Sequence, residues 1–319
     1  MGRYIRNSAL LAKVETVEGT DAAPTGLANA CLISDVTINP LNSQNVDRSL
    51  IRSYYGASEQ LVGTAYVDLS FTVELAGSGT AGTAAPWGEL LRACGFAESG
   101  AAGYKQYAPD TPASQKSATL YYHDDGVLHK LLGAKGTCKI GLGIGDRPTL
   151  QFAFTGRYGG VTALANPSTT LSSWKQPLVV TDPNTADVKF GASYAAGGAT
   201  GGTSYVSRGL SLDLGNGVQH TPLLGGEYID IVSREVTGSL QLDLTAAQEV
   251  AIMGSVTANT LQAISLEHGS VAGAIVGVYM AAVQLINPAK QEVNGRRLIG
   301  LDLRSVPLAG NDDLIIYCK

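Results

Sequence analysis

The chain has 319 residues, 45% of them hydrophobic and 15% charged, so it can bury a substantial core in one large or two ordinary domains. A formal net charge of −5 and scattered basic residues argue against a protein that grips nucleic acid through clustered Lys and Arg. The 39 glycines and 14 tyrosines, beside 4 histidines and 3 methionines, favour a mainly β protein with many turns.

The first 30 residues are small and polar, and "GTDAAPTG" at 19–26 is typical of an extended N-terminal arm. The start of the chain has no apolar run long enough for a signal peptide. No segment reaches the ~18 apolar residues of a membrane helix. We therefore expect synthesis in the cytoplasm and no membrane partner.

Residues 31–160 predict a first β lobe. Within it, the stretch from Val67 to Leu75 is apolar at every second position, which is the period of a half-buried strand. The predicted elements are, in order, a strand at about 32–39, a long exposed hairpin or loop at 42–63, the strand at 67–75, a short helix at 86–96, a hairpin turning at Asp125-Gly126 and a second strand pair.

Residues 161–207 are rich in Gly, Ser, Thr, Asn and Pro and predict a connector with two short strands. Residues 208–319 then predict a second lobe in the same order. Its elements are a strand at 209–216, an exposed loop at 216–235, a strand at 239–244, a helix at 246–256, a hairpin near His268-Gly269 and two final strands.

The two lobes match at offsets that change only across predicted loops. The matched sets are Phe71, Val73 and Leu75 with Leu240, Leu242 and Leu244 (offset 169), Ile38 with Leu212 (174), and Leu150, Phe152 and Phe154 with Ile299, Leu301 and Leu303 (149). An internal duplication explains this shared order. The alternative, that any β protein contains alternating strands, stays open because identity between the lobes is low.

The sequence offers little for catalysis or metal binding. His123 stands beside two carboxylates in "HDDG", but neighbouring strand residues point to opposite faces and Asp125-Gly126 is better explained as a turn. "GLGIGD" at 141–146 leads into a strand and not into a phosphate-binding helix. The four cysteines are far apart and predict reduced, packed thiols. We therefore predict no enzyme, no metal site and no cofactor.

Several stretches resemble the tail tube, or major tail, proteins of long-tailed (siphovirus-type) bacteriophages. They are "ETVEGTDAAPTG", "VTINPLNSQNVDRSLIRSYYGASEQL", "VELAGSGTAG", "PWGELLRACGF", "GVLHKLLGAKGT", "FTGRYG" and "DLRSVPLAGNDDLIIYCK". The resemblance implies duplicated β-sandwich or barrel lobes, each flanked by a short helix. It also implies closed rings with a large β-barrel lumen, stacked into a hollow tube for DNA ejection. Because the chain is internally repeated, trimers with pseudo-sixfold symmetry are expected in place of hexamers.

In such a ring one sheet face packs on the core and the other lines the channel. The alternates of the apolar series are then expected at the lumen, and three of them are acids, which would repel phosphates and keep DNA mobile. The predicted lumen-lining residues are Ser70, Thr72, Glu74, Gln151, Gln241, Asp243, Asp302 and Arg304. Exposure to bulk solvent or to a subunit seam is the alternative for each of them.

The two exposed loops, 42–63 and 216–235, are predicted to make ring-to-ring contacts through charged pairs and tyrosines. The residues concerned are Arg48, Arg52, Tyr54, Tyr55, Glu59, Glu227, Tyr228, Arg234 and Glu235. A solvated loop is the alternative.

The resemblance also implies partners and a location. The partners are other copies of the chain, a tape-measure protein, terminator and tip proteins of the tail, and double-stranded DNA in non-specific passage. The location is the virion tail, after assembly in the host cytoplasm. A β-rich protein that binds or depolymerises polysaccharide is the competing function, although it would need an aromatic cluster or paired carboxylates and only two Trp are present.

Overall fold

The computed structural model describes residues 2–319. It is mainly β, with 54% strand and 9% helix, which confirms the predicted fold class. The first half contains strands β1 (Ser8–Val14), β2 (Ala30–Cys31), β3 (Ser34–Asp47), β4 (Gln60–Glu74), β5 (Phe96–Ala101), β6 (Tyr104–Pro109), β7 (Ala118–Asp124), β8 (Val127–Gly143) and β9 (Thr149–Ala163), and helices α1 (Gly26–Asn29) and α2 (Gly88–Ala93).

The second half begins with the predicted connector, which contains a 3₁₀ turn at Asp182–Asn184 and three short strands. Its strands and helix are β10 (Val188–Phe190), β11 (Ser193–Ala195), β12 (Gly198–Thr200), β13 (Thr203–Asp213), β14 (Gly217–Leu223), β15 (Gly226–Ser233), β16 (Thr237–Asp243), α3 (Ala246–Thr257), β17 (Gln262–His268), β18 (Val276–Val293), β19 (Arg296–Ser305) and β20 (Ile315–Cys318).

Six strands of the second half close into a barrel. Hydrogen bonding runs from β13 to β10, β17, β18, β19 and β16, and β16 returns to β13. The first half has the same neighbour order in β1, β7, β8, β9, β4 and β3. There, β1 pairs with β2, which ends two residues before β3 begins. The order of pairing therefore repeats along the chain.

Two predicted irregular regions contribute strands to this repeat. Residues 1–30 are not wholly an extended arm, because Ser8–Val14 form β1 against β7. The sequence "SALLAKV" lacks alternation, since Leu10, Leu11 and Ala12 are all buried. In the connector at 161–207, Val188–Phe190 form β10 between β13 and β17, and β11 pairs with β12 as a small separate hairpin.

The hydrophobic core lies between the sheets and receives the apolar series predicted from the sequence. Phe71 of β4 packs against Phe152 and Phe154 of β9, with ring centroids 5.8 and 5.9 Å apart. The short helix α2 is introduced by Trp87, whose indole N–H donates to the Ala76 carbonyl at 2.8 Å. Helix α3 begins with a capping box between Thr245 and Gln248 and buries Ile252. Both helices fall where the sequence predicts them.

A buried histidine attaches the connector to the second barrel. The His268 ring lies between the Leu178 carbonyl, 3.0 Å from Nε2, and the Thr185 hydroxyl, 2.8 Å from Nδ1. Because a carbonyl can only accept, Nε2 carries the proton and Nδ1 accepts from Thr185. Burial disfavours the charged ring and lowers the pKa of His268, so the neutral imidazole is favoured with Nδ1 accepting from Thr185.

We expect the folded chain to lose stability as the pH falls from about 8 to about 5.5. Burial lowers the pKa of His123, His129 and His268 below the usual 6.5. Above that value both states are neutral; below it the unfolded chain takes up protons that the folded chain resists, so the free energy of unfolding decreases. Urea denaturation across this range measures the effect. His268→Gln offers one donor and one acceptor without titrating, so it should reduce the dependence and leave the part due to His123 and His129. A wild-type urea midpoint that does not change with pH would contradict the prediction.

Candidate functional site

The candidate site is one face of a continuous antiparallel sheet that joins both halves of the chain. Eight strands pair in the order β3, β4, β9, β8, β13, β16, β19 and β18. The halves meet where β8 pairs with β13, from Gly143 opposite Gly209 to Lys139 opposite Asp213. Alternate side chains point to opposite faces, so one face is the apolar core and the other is polar.

Rows of directly opposite residues cross this polar face. One row crosses all eight strands through Ser34, Thr72, Gln151, Lys139, Asp213, Thr237, Arg304 and Gln284. The adjacent row contains Glu74, Thr149, Gly141, Ser211, Ser239 and Asp302. Ser70 lies in a third row, and Gln241 and Asp243 continue the same side of β16. All eight predicted lumen residues therefore share one face; that this face lines a lumen stays a prediction.

Their exposure differs within the isolated chain. Gln151, Asp302 and Arg304 are exposed, whereas Ser70, Glu74, Gln241 and Asp243 are half-buried. Thr72 is buried, with 8% exposure, because its small side chain lies between Ser34 and Gln151 of the neighbouring strands. Thr72 is thus the weakest of the predicted contacts with a channel.

An ion pair is repeated at matched positions on this face. Arg147, in the turn before β9, lies with Nη1 3.3 Å from Oε1 of Glu74. Arg296, at the start of β19, pairs in the same way with Asp243. The offsets are 149 (296 − 147) and 169 (243 − 74), the same values that relate the strands. The arginines were missed from the strand pattern, although the offset itself could have identified them.

These arginines change the charge expected for the face. The acids on or beside it include Asp35, Asp68, Glu74, Asp213, Glu235, Asp243 and Asp302, and the bases include Lys139, Arg147, Arg296 and Arg304. Lys139 pairs with Asp213 at 3.1 Å, and Arg304 pairs with Glu235 at 2.9 Å. Asp68 accepts hydrogen bonds from Asn42 and Thr155. The face therefore keeps an excess of acids, but each of these four bases is paired with one of them.

The first predicted contact loop is the tip of the β3–β4 hairpin, which projects from the sheet. Arg48 and Arg52 both pair with Glu59, so one carboxylate serves two guanidinium groups at the base of the tip. Arg52 also lies over the Tyr54 ring, 5.9 Å from its centroid. Ile51 and Tyr55 are fully exposed, at 102% and 106%. That this tip makes contacts between rings stays a prediction.

The second predicted loop is the β14–β15 hairpin, which folds back onto the first half of the chain. The His220 ring packs against Tyr66 of β4 at a tilt, with centroids 5.0 Å apart, and its Nε2 lies 2.8 Å from Glu227. The Arg157 guanidinium of β9 donates to the Glu227 carbonyl at 3.3 Å. Tyr228 remains 49% exposed. This hairpin is thus held by its own chain.

Two further residues predicted for contact between rings, Arg234 and Glu235, also have partners within the chain. The Arg234 guanidinium donates two hydrogen bonds to buried Asp313, at 2.9 and 3.0 Å. Glu235 pairs with Arg304 on the sheet. The sequence pattern did not reveal this ion pair, because Asp313 lies 79 residues further along the chain, and a role of Arg234 between rings stays a prediction.

The HDDG segment forms the predicted turn. Asp125 and Gly126 both have positive φ, at 42° and 90°, as the tight hairpin between β7 and β8 requires. The Asp125 carboxylate accepts hydrogen bonds from the Tyr4 backbone N–H and the Asn7 side-chain amide, and so holds the N-terminal segment. Among residues 2–319 no group of three or more His, Cys, Asp or Glu is placed to hold a metal ion. No helix in this part of the chain is both long and apolar enough to span a membrane.

The polar sheet is open at both ends. Among the described strands, β3 pairs only with β4, and residues 284–293 of β18 pair only with β19. Each edge therefore presents backbone groups that no other described strand covers. Unpaired edges of this kind are templates for another strand.

These features define a class of protein, a β-sheet subunit with a broad polar face, two open edges and a projecting apolar hairpin. A family model described as phage tail tube protein matches residues 5–315, so the chain belongs to the phage tail tube protein family. It is accordingly a structural tail tube protein of a bacteriophage and a component of the virion tail. A search of curated proteins found no match.

Proposed function

We propose that the chain forms closed rings that stack into the hollow tail tube of a long-tailed, siphovirus-type phage, and that the tube conducts the DNA to the host. Each ring would contain three chains, because each chain supplies two equivalent lobes at 31–160 and 208–319, together with β1 and β10. The observation that carries the proposal is the eight-stranded sheet, in which two four-stranded halves are joined edge to edge and both outer edges stay open.

Cross-strand pairing supports the equivalence of the lobes. Residues matched by offset have matched partners: Phe71 faces Phe152 as Leu240 faces Leu301, and Ile38 faces Leu69 as Leu212 faces Gly238. The matched strands β3 and β13 also share a β-bulge.

The bulge occurs at corresponding positions. In β3 the register shifts between Ser34 and Thr37, and Asp35 has φ of 52°. In β13 it shifts between Ser207 and Leu210, and Gly209 has φ of 106°. Asp35 and Gly209 differ by 174 (209 − 35), the offset found for these strands. A glycine at one and an aspartate at the other fit a left-handed conformation.

The register also predicts the geometry of a closed barrel. Glu74 lies in the row of Ser239, whereas its counterpart at offset 169 is Asp243, four residues further along β16 (243 − 239). Gln151 lies in the row of Arg304, whereas its counterpart at offset 149 is Gly300, again four residues away (304 − 300). A shift of four residues at ~3.3 Å across four strands at ~4.8 Å gives a strand tilt of roughly 35°.

Three such chains supply 24 strands. At this tilt they close to a circumference of about 140 Å and a backbone diameter of about 45 Å. Inward side chains reduce the free diameter to roughly 35 Å, which leaves room for duplex DNA and water. The same symmetry brings the Arg147–Glu74 and Arg296–Asp243 pairs to equal heights.

The polar face would then form the channel wall. Its paired charges offer phosphates no cluster of free Lys or Arg, so DNA can pass without the strong binding that counterion release provides. Assembly in the host cytoplasm, and contacts with tape-measure, terminator and tip proteins, belong to this proposal through the family alone.

Electron microscopy and native mass spectrometry of the purified protein test the proposal. We expect hollow tubes of stacked rings, each with the mass of three chains and with alternating lobes around the axis. Six chains per ring would contradict the trimer and leave the tube intact. Monodisperse monomers under all assembly conditions would overturn the tube and favour the polysaccharide-binding alternative.

A further inference from the structure

We propose that β3 of one copy pairs with β18 of the next copy in a single defined register, with residues 35–39 antiparallel to residues 289–293 and Thr37 opposite Gln291. This inference rests on the proposed ring and specifies its junction. The two partners are surfaces of the same chain, so the occupant of each open edge is a second copy.

The donors at each edge can be assigned from neighbouring bonds. Leu75 N–H donates to Pro148 O, so odd residues of β4 bond to β9 and its even residues bond to β3. Since Ser70 faces Thr37, the Thr37 backbone groups point to β4. Val36 and Ile38 therefore point their N–H and C=O groups to the open edge.

The same reasoning applies to β18. Val306 N–H donates to Ala282 O, so even residues of β19 bond to β18. Beyond the bulge in β18 the partners of those residues are Ala289, Gln291 and Val293. Lys290 and Glu292 therefore point their backbone groups away from β19 and into the open edge.

The junction between the two halves provides the register. There β8 pairs with β13, Gly141 opposite Ser211 and Ile140 opposite Leu212. The counterparts of Ser211 and Leu212 at offset 174 are Thr37 and Ile38.

The counterparts on the other strand follow from β9 and β19. Ile140 faces Leu150, which matches Ile299, and Ile299 faces Lys290 of β18. Lys290 is therefore the counterpart of Ile140. Transferring the internal junction to the open edges places Lys290 opposite Ile38 and Gln291 opposite Thr37.

The transferred register agrees with the direction of the backbone groups. In the internal junction Leu214 N–H donates to Cys138 O, so even residues of β13 and β8 form the hydrogen-bonded pairs. Transfer makes Ile38–Lys290 and Val36–Glu292 the hydrogen-bonded pairs, and these are the residues whose groups point outward on each edge. A register shifted by one residue would oppose groups that point inward.

Two prolines mark one end of the proposed ladder. Pro40 follows Asn39, and Pro288 precedes Ala289, so the register places these prolines opposite each other. Both lack the N–H that would face the partner strand, so pairing stops at the same point on both edges.

Disulfide cross-linking tests the register. Thr37 and Gln291 form a non-hydrogen-bonded pair, in which Cα atoms lie ~4.5 Å apart and side chains are close enough for a disulfide. Chains with Thr37→Cys and Gln291→Cys, in a Cys31→Ser background, are assembled and then oxidised. The other three native thiols are buried, and burial raises the pKa of Cys94 and Cys138. We expect most chains to cross-link between copies, in a ladder that ends at three.

Two further cysteine pairs serve as a positive and a negative control. Lys139→Cys with Asp213→Cys lies in the internal junction and should form a disulfide within one chain. Asn39→Cys with Val293→Cys is out of register by four residues, about 13 Å along the strand, and should not cross-link. If the double variant assembles poorly, Thr37→Cys chains mixed with Gln291→Cys chains should give covalent dimers only.

The outcomes separate the two proposals. Normal tubes without the Thr37–Gln291 disulfide, or with the off-register disulfide in its place, overturn the junction and leave the tube. Wild-type protein that forms no tube, together with an unlinked double variant, overturns the tube and the junction together.

Discussion

Lys290→Pro is expected to leave a folded chain that assembles into neither rings nor tubes. The Lys290 N–H points to the open edge of β18, so proline removes a donor that the isolated chain does not use. In the proposed ring this donor bonds to Ile38 of the next copy, and the proline ring would also occupy space that the partner strand needs. Electron microscopy and sedimentation of the purified variant measure the loss, with an unfolding midpoint near that of the wild type.

Two neighbouring substitutions serve as controls. Lys290→Ala removes the exposed ion pair with Glu249 but keeps the backbone donor, so tubes should still form. Gln291→Pro removes a donor directed to β19 and should destabilise the chain itself by about 3 kcal/mol. Wild-type tubes from Lys290→Pro would contradict strand pairing at this edge.

How much of this architecture is visible in the sequence depends on the range of the interaction. The strand at 67–75 is predicted because alternation is local, and the match of Glu74 with Asp243 follows from two such strands. Strand β1 escapes prediction because Leu10, Leu11 and Ala12 are buried in succession and have no alternation. Ion-pair partners that are distant in sequence, such as Arg234 and Asp313, are not predicted either.

The sequence predicted which strand residues lie on the candidate face but not the arginines that pair with its acids. All eight predicted residues lie on the polar side, because side-chain direction follows from strand period alone. Arg147 and Arg296 lie in or next to turns, where period two carries no information about direction. The internal repeat can locate such residues where the strand period cannot, because a residue in one half predicts a counterpart at a fixed offset in the other.

Duplication also gives a physical reason for the open edges. Within one chain the β8–β13 junction is supported by a covalent connection, so it forms at any protein concentration. The equivalent junction between chains must overcome the entropy of association, so assembly depends on concentration and on further contacts between copies. Each chain therefore brings one junction already formed, which makes three of the six junctions in each proposed ring. The remaining stabilisation has to come from the intermolecular edges and the projecting hairpin.

Replacing residues 48–58 by a single glycine is expected to abolish stacking while leaving rings able to close. The glycine and Glu59 would then join Asp47 to Gln60 as a two-residue hairpin loop, so the strands keep their register. The change removes Ile51 and Tyr55, which are fully exposed and cover nothing in the chain. If each becomes buried in the next ring, each contributes about 2 kcal/mol, or roughly 30-fold in stacking affinity.

The particle formed by this shortened variant distinguishes stacking from ring closure. Single rings of three chains are expected by electron microscopy and mass measurement, whereas Lys290→Pro should yield monomers. Ile51→Ser with Tyr55→Ser keeps the hairpin length and its Arg48–Glu59 pair, and should weaken stacking in the same direction. Tubes of normal length from the shortened variant would refute a stacking role for the tip. If the shortened variant stays monomeric under conditions where the wild type assembles, the tip makes contacts within the ring and not between rings.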